Sequence, residues 1–336
     1  MPALPNSSEL NNKVIVLYGK LSDNPQEDEL DVLDEVNFVS AFLLELGYKS
    51  YKLEFSLNID KVISEIQSIN PLFVFNLVET IENNGEFHYF SPAILQFLKI
   101  PYTGVSLNTL FITTDKVLTK ELLKFHKIKT PEWYSLKEYK RCLKSKNKFI
   151  IKPKSEDGSL GLDEESIFNG VDAATYFDKF NSKDKGTFFI EEFVEGREFN
   201  ISVLAGEKGP EVLPPAEILF QNFPSGKSKI MGYRAKWKTD SFEYQNTSRT
   251  FNFDMLDFPL LEKIKSISLN CWNIFKSGGY IRVDLRVDPN NVPYVIEING
   301  NPCISPSSGF YAAAQQAGYD FKEVMQRIIA DTLNTQ

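Results

Sequence analysis

The stretch RVDLRVDPNNVPYVIEINGNP, residues 282–302, decides the fold prediction. Two apolar runs flank the turn DPNN, which predicts an antiparallel hairpin. Because side chains alternate between the two faces of a strand, Arg282 and Asp284 share one face, as do Glu297 and Asn299. If these faces coincide, two carboxylates and an amide oxygen converge, a set that a hard cation such as Mg²⁺ would neutralise. A solvated hairpin face with a salt bridge to Arg282 is the alternative.

Two further strand ends carry polar groups. In FIIKPKSEDGSLG, residues 149–161, an apolar strand delivers Lys152 to a loop of serine and glycine, whose amides could hold phosphate oxygens beside the lysine charge. In FFIEEFVEGREFN, residues 188–200, the strand ends in glutamates including Glu191, which could accept from a nucleotide amino group or from ribose hydroxyls. Each segment alone would also suit an ordinary surface turn.

The amino-terminal third alternates strand and helix patterns. KVIVLYG (13–19) and PLFVFNLVE (71–79) are apolar runs typical of buried strands, and VNFVSAFLLELGY (36–48) has helical spacing. SPAILQFLKI (91–100) predicts a helix and IPYTG (100–104) a short strand and turn. These elements predict an open α/β layer over about the first hundred residues.

Later segments predict a second, α+β region. The threonines of TTDKVLTKELLKFHKI (113–128) suit the start of one helix. Residues 206–250 are rich in polar and turn residues and predict a long functional loop. FPLLEKIKSISLNCWNIFK (258–276) and DFKEVMQRIIADTL (320–333) predict helices.

Composition excludes some classes of function. The chain has 336 residues and a formal net charge of −8, which argues against the basic face of a nucleic-acid-binding protein. Its cysteines, Cys142, Cys271 and Cys303, lack the spacing of a zinc site or a disulfide framework. With only His88 and His126 as histidines, any metal should be held by oxygen. We predict a cytoplasmic protein without a membrane partner, because the sequence shows neither a span nor a secretion signal.

Taken in order, these segments resemble the ATP-grasp superfamily, and most closely the D-alanine-D-alanine ligase family. The matching motifs, which cover nearly the whole chain, are IPYTG, DKVLTKELLKFHKIKTP, KPKSEDGSLG, EEFVEGREF, YRAKW, IRVDLRV and EINGNP. The resemblance implies an open α/β pre-ATP-grasp domain over residues 1–110. A central ATP-grasp subdomain (111–200) and a carboxyl-terminal one with the metal and substrate site (201–336) would follow.

The resemblance also implies an activity and a set of site residues. The protein would be an ATP-dependent ligase that activates a carboxylate as an acyl phosphate and joins it to an amine; proteins of this kind are usually homodimers. ATP would be bound by Lys116, Lys152, Glu191, Glu192, Phe193, Val194, Glu198, Lys236 and Ile296. Two Mg²⁺ ions, which Mn²⁺ could replace, would be held by Asp284, Glu297 and Asn299. Catalysis would use Arg282, Ser159 and Lys236, and the substrates would contact Trp237, Arg282, Cys303 and Ser308.

The sequence departs from the family in the substrate half. No residue among 26–35 clearly matches the glutamate that holds the first D-alanine, and Val78 stands in place of a histidine. Trp237 replaces a tyrosine and Cys303 a glycine. We therefore predict an amino acid or amino-acid-like substrate other than the D-alanine pair. The alternatives are a true D-alanine-D-alanine ligase and a non-catalytic nucleotide-binding module, the latter disfavoured by the retained lysines and metal ligands.

Overall fold

The computed structural model describes residues 11–142, 145, 147–156, 162–177 and 186–334. Its strands are β1 (Lys13–Gly19), β2 (Lys49–Phe55), β3 (Phe73–Leu77), β4 (Trp133–Ser135), β5 (Lys148–Pro153), β6 (Ile167–Asn169), β7 (Phe188–Glu192), β8 (Arg197–Leu204), β9 (Glu211–Val212), β10 (Ala216–Phe220), β11 (Thr247–Thr250), β12 (Tyr280–Val287) and β13 (Pro293–Asn299). Its helices are α1 (Glu27–Glu45), α2 (Ile59–Ile69), α3 (Phe90–Phe97), α4 (Leu107–Thr114), α5 (Lys116–Phe125), α6 (Ala173–Phe177), α7 (Tyr233–Trp237), α8 (Phe242–Gln245), α9 (Phe258–Phe275), α10 (Gly309–Gln316) and α11 (Phe321–Asn334).

The first sheet is parallel and has the strand order β2-β1-β3. Every residue of β3 is buried, which explains why its sequence is a continuous apolar run: parallel strands are covered by helices on both faces. The predicted open α/β layer is therefore confirmed.

Two antiparallel sheets follow. One has the order β4-β7-β5-β6, and the other has the order β11-β10-β8-β12-β13 with β9 paired to β8. The turn between β7 and β8 contains Gly196, whose φ is +138° and where a Cβ would lie 2.0 Å from the carbonyl oxygen of Val287. Only glycine fits there without displacing the backbone. This turn connects the second sheet to the third sheet.

The first and third sheets share one hydrophobic core. It joins Val14 and Phe73 of the first sheet to Leu204 and Tyr280 of the third, and it includes residues of α10 and α11. Phe38 of α1 contacts the Phe321 ring at 4.8 Å between centroids. The packing brings α1 against the carboxyl-terminal helices, at the substrate end of the site described below.

Two predictions about residues 100–128 were wrong. Residues 113–128 are not one helix, because Asp115 is extended and its Oδ1 accepts from the amides of Val117 (2.8 Å) and Leu118 (3.0 Å). The aspartate thus starts α5, and the threonines end α4. IPYTG forms only an isolated bridge between Val74 and Tyr102.

The region 206–250 is structured and is not simply a loop. It contains β9, β10, α7, α8 and β11, and its strand β10 pairs with both β8 and β11. The apolar run of β10 is only five residues long and is flanked by turn residues, so the sequence does not predict a strand there. The prediction also omitted β2, α2, α4, β4, β6 and α10. Among the described helices, none combines the length and apolar character needed to cross a bilayer.

His88 is fully buried beside α3. Its Nδ1 lies 3.0 Å from the carbonyl oxygen of Glu79, to which it donates, and its Nε2 contacts the Thr114 hydroxyl. Burial lowers the pKa of His88 to about 4; the hydrogen bond to Glu79 opposes this effect and the charge of Lys116 adds to it. The imidazole is therefore neutral in the folded protein at pH 7.

We expect this histidine to make folding less stable in mild acid. Below its ordinary pKa of 6.5 the unfolded state gains a proton that the folded state does not accept until about pH 4. The free energy of unfolding should therefore fall by about 2 kcal/mol from this group between pH 7.5 and pH 5. Urea unfolding of wild type and His88→Gln at both pH values measures this loss.

The matched control is His126→Gln, at an exposed position after α5. We expect His88→Gln to lose clearly less stability than wild type and His126→Gln over this pH interval. Equal losses in all three proteins would contradict the assignment.

Candidate active site

A pocket of about 330 Å³ lies between the second and third sheets. Predicted site residues in its wall are Lys152, Glu191, Glu192, Phe193, Val194, Glu198, Lys236, Trp237, Arg282, Asp284, Ile296, Glu297, Cys303 and Ser308. Lys116 and Asn299 adjoin this wall, the first through Glu297 and the second through its pairing with Arg282. Ser159 lies outside the described residues.

The hairpin of β12 and β13 brings its polar residues together as predicted. Asp284 pairs with Glu297 and Arg282 with Asn299, just before a bulge at Leu285. Arg282 forms a bidentate ion pair with Asp284, with distances of 2.8 Å (Nε to Oδ1) and 2.9 Å (Nη2 to Oδ2). The salt bridge of the alternative interpretation therefore exists, but Asp284 is buried in the pocket wall and not on a solvated face.

Both carboxylates have further polar neighbours. Asn200 donates from Nδ2 to Oδ1 of Asp284 at 2.8 Å, and Lys116 Nζ lies 2.7 Å from Oε1 of Glu297. The amide oxygen of Asn299 accepts from the backbone amide of Asn301 at 2.9 Å and keeps a second lone pair. All the potential ligands are oxygens, so this donor set fits Mg²⁺ rather than a softer metal.

A buried cluster of charged side chains lies at the end of the pocket that is predicted to bind ATP. Lys152 Nζ lies 2.5 Å from Oε2 of Glu191, and the ammonium of Lys120 forms a second ion pair with the same carboxylate. Burial alone would raise the pKa of Glu191, but the two lysines lower it below its ordinary value. Lys120 was not predicted. Two lysines hold the Glu191 side chain that was predicted to contact adenine.

Arg286 is a second unpredicted residue of the site. It donates to the carbonyl oxygen of Val194 at 2.6 Å and to that of Lys229 at 2.9 Å, and it pairs with Glu198 at 2.8 Å. Burial raises the pKa of Glu198, although the charge of Arg286 opposes this. Strand alternation could have identified Arg286, because it follows Arg282 and Asp284 on the same face.

An apolar slot lies between these polar groups. Its walls include Ile150 of β5, Leu162, Met231 and Ile296 of β13. The turn after β7, beginning with Phe193, lines its edge. Apolar walls of this kind suit a flat heterocycle such as adenine.

The other end of the pocket contains the predicted substrate residues. Ser308 caps α10 and accepts from the Tyr311 amide at 3.1 Å, which leaves its hydroxyl proton free to donate. Lys236 Nζ lies 4.8 Å from the centroid of the Trp237 ring. Asp31 of α1, which the sequence did not identify, also lines this end, and its Oδ2 lies 3.5 Å from the Cys303 sulfur.

Cys303 is not an activated thiol. Burial and the charges of Glu35, Glu79 and Asp31 raise the pKa of Cys303 well above its ordinary value. Glu35 is fully buried and accepts from the Ile304 amide at 2.6 Å, so it anchors the turn after Cys303. Neither side chain has the properties of a nucleophile.

Comparisons with known proteins agree with this architecture. The sequence profile described as D-ala D-ala ligase C-terminus matches residues 119–330. A D-alanine–D-alanine ligase of Aquifex aeolicus is 28% identical over 323 residues, covering 94% of this chain and 99% of the relative. A protein of Sinorhizobium fredii strain NGR234 described as uncharacterized protein y4sG is 26% identical over 297 residues, covering 87% and 85%.

Solved structures share the fold. The D-alanine–D-alanine ligase of Bacillus anthracis, solved with ATP, has a TM-score of 0.72 at 21% identity and covers 96% of this chain and 98% of its own. D-alanyl-alanine synthetase A of Vibrio cholerae has a TM-score of 0.74 at 14% identity, covering 97% and 99%.

The fold, the oxygen-rich hairpin and the lysine-lined slot together define an ATP-grasp enzyme, a ligase that uses ATP to join a carboxylate to an amine. The profile match covers well over half of the chain. The protein therefore belongs to the D-ala D-ala ligase C-terminus family.

Proposed function

We propose that this enzyme ligates an amino acid or amino-acid-like acid other than the D-alanine pair. The observation that carries the proposal is the position of Trp237 in the wall of the substrate end, together with Asp31 and Cys303. An indole has one donor and no acceptor, so it cannot reproduce the hydrogen bonds of the tyrosine usual in the family. The side chains around the substrate therefore differ in chemistry from those expected for two D-alanines.

The reaction has two steps. In the first, a carboxylate oxygen of the first substrate attacks the γ-phosphorus of ATP, which forms an acyl phosphate and releases ADP. In the second, the amine attacks the acyl carbon, phosphate leaves with the electron pair of the broken C–O bond, and the amine loses a proton. Phosphoryl transfer of this kind depends mainly on positioning and on charge neutralisation.

The residues of the pocket have roles suited to these steps. Lys116, Lys152 and Lys236 would neutralise the phosphate oxygens, and Arg282 would stabilise the oxyanion of the tetrahedral intermediate. Mg²⁺ held by Asp284, Glu297 and Asn299 would supply further positive charge at the phosphates. Closure of the pocket would exclude the water that hydrolyses an acyl phosphate. The homodimer implied by the resemblance stays a prediction.

A second candidate is ligation of two D-alanines. It is favoured by the name of the Aquifex aeolicus relative, a D-alanine–D-alanine ligase that aligns over 94% of this chain. Under this hypothesis, Trp237 and Asp31 would bind the same substrates through altered contacts.

The two candidates differ in a direct assay. ADP release with MgATP is measured for single and paired D- and L-amino acids, and products are identified by mass spectrometry. We expect amine-dependent turnover with a pair other than D-alanine and D-alanine, at a rate at least tenfold higher. Fastest turnover with D-alanine alone would establish the second candidate. ADP release without any amine, or no release with any pair, would contradict both.

A further inference from the structure

Arg249 is a cation of the substrate end that neither the fold nor the predicted mechanism uses. It lies on the edge strand β11 and lines the same pocket as Trp237, Cys303 and Ser308. Its side chain is half-buried, and its Nε is completely buried without a hydrogen-bond partner among the described residues. A buried donor without a hydrogen-bond partner destabilises the protein that carries it. Arg249 also lines the pocket wall, so a ligand bound there would supply the counter-charge for its guanidinium.

The charge of Arg249 is not balanced by the surrounding protein. No carboxylate of the described part of the chain forms an ion pair with it, whereas the neighbouring Arg282 is held by Asp284 at 2.8 Å. Burial, and next the charge of Arg282, lower the pKa of Arg249 from its ordinary value. Both effects disfavour the positive charge of the guanidinium, and an anion bound beside it would stabilise that charge.

The guanidinium lies directly against the start of α10. A Cβ on Gly309 would lie 3.3 Å from Nη2 of Arg249, so the absence of a side chain makes room for the guanidinium. The start of a helix is itself positive and attracts anions. Ser308 and the amides of α10 can receive one carboxylate by themselves, as the family resemblance implies. Arg249 adds a full positive charge next to them.

We propose that Arg249 selects a substrate with a second anionic group, a dicarboxylic amino acid as the acceptor amine. Its α-carboxylate would bind at Ser308, and its side-chain carboxylate would form a bidentate pair with Arg249. This inference rests on the proposed ligase function and specifies its acceptor. The neutral amide analogue of the same shape leaves the Arg249 guanidinium without a counter-charge and is therefore a poor substrate.

The test compares isosteric acceptors that differ only in charge. Initial rates of amide formation are measured for aspartate against asparagine and for glutamate against glutamine, as D- and L-isomers, with each first substrate of the panel. For wild type we expect kcat/KM to favour the acid by about thirtyfold. Arg249→Gln should abolish this preference, mainly through the KM of the acid, and Arg249→Lys should retain part of it. Arg141→Gln, which removes an exposed arginine, is the control and should behave as wild type.

Two kinetic outcomes would overturn the proposal. Equal use of acid and amide by wild type would show that Arg249 does not select charge. An equal loss for all acceptors in Arg249→Gln would instead assign the arginine to the α-carboxylate.

A binding measurement separates this inference from the ligase function. The Tm of wild type, Arg249→Gln and Arg141→Gln is recorded with MgADP and increasing aspartate, asparagine, glutamate or glutamine. We expect the acids to raise Tm more than the amides in wild type and Arg141→Gln, and no difference in Arg249→Gln. If no pair of substrates is turned over but this pattern holds, the proposed function fails and the anion site stands. The same thermal shift in all three proteins would reject the site.

Discussion

Replacing Asp284 with asparagine should lower the rate of ADP release about a thousandfold, equivalent to about 4 kcal/mol of transition-state stabilisation. The substitution keeps the shape of the side chain and its contact with Asn200 but removes one negative charge from the predicted metal ligands. It also deprives Arg282 of the carboxylate that holds its guanidinium in place. Steady-state ADP release at saturating ATP measures the effect.

The Mg²⁺ dependence of the rate distinguishes the two causes. If Asp284 holds a metal, the Mg²⁺ concentration that gives half the maximal rate should rise in Asp284→Asn, whereas a loss of Arg282 positioning alone would lower the rate at every concentration. Asp254→Asn, at an exposed position before α9, is the matched control and should keep wild-type activity. A rate within threefold of wild type in Asp284→Asn would remove Asp284 from the catalytic site.

Replacing Glu191 with glutamine should lower the free energy of unfolding by about 4 kcal/mol. The carboxylate and the ammonium of Lys120 are both only 1% exposed, and Lys152 shares the same carboxylate. Removing the negative charge leaves a buried lysine whose remaining hydrogen-bond partner among the described residues is the Thr130 hydroxyl at 2.7 Å. Urea unfolding at pH 7 measures the loss.

Two variants test the physical reason. Glu192→Gln, one residue further along, removes a charge from a half-buried side chain that accepts from Asn147 at 3.3 Å, and should change stability by less than about 1 kcal/mol. The double variant Lys120→Met with Glu191→Gln removes the buried ammonium together with the carboxylate. We expect it to be more stable than Glu191→Gln alone. If the double variant is the less stable of the two, an unpaired buried charge is not the cause.

Strand alternation explains how much of the nucleotide half could be predicted. Strand β12 keeps a period of two, so its polar face followed from the sequence, and Arg286 could have been found by the same rule. The bulge opposite Leu285 interrupts the alternation in β13, and the sequence did not indicate it. Lys120 could not be found, because its position on α5 resembles that of any surface lysine. It is buried only in the folded protein, where α5 packs against β13 and the Lys120 ammonium pairs with Glu191 of β7.

The substrate half was predicted less well because its residues come from distant parts of the chain. Asp31 reaches the pocket only because α1 packs on α11, and no local pattern in α1 indicates this contact. Arg249 lies on a four-residue edge strand within a polar region, where alternation is too short to indicate a strand. The threonines of residues 113–114 resembled a helix start, but Asp115 accepts from two amides and sets the boundary.

The core shared by the first sheet and the last two helices constrains how this chain can fold during synthesis. Val14, Val39 and Phe73 are synthesised before Phe310 and Ile328, which complete their packing. Until then α1 covers this apolar face of the first sheet only in part, and the exposed remainder is a target for chaperones and for aggregation. A nascent chain arrested before α10 should therefore remain bound to chaperones, whereas the released full chain should not.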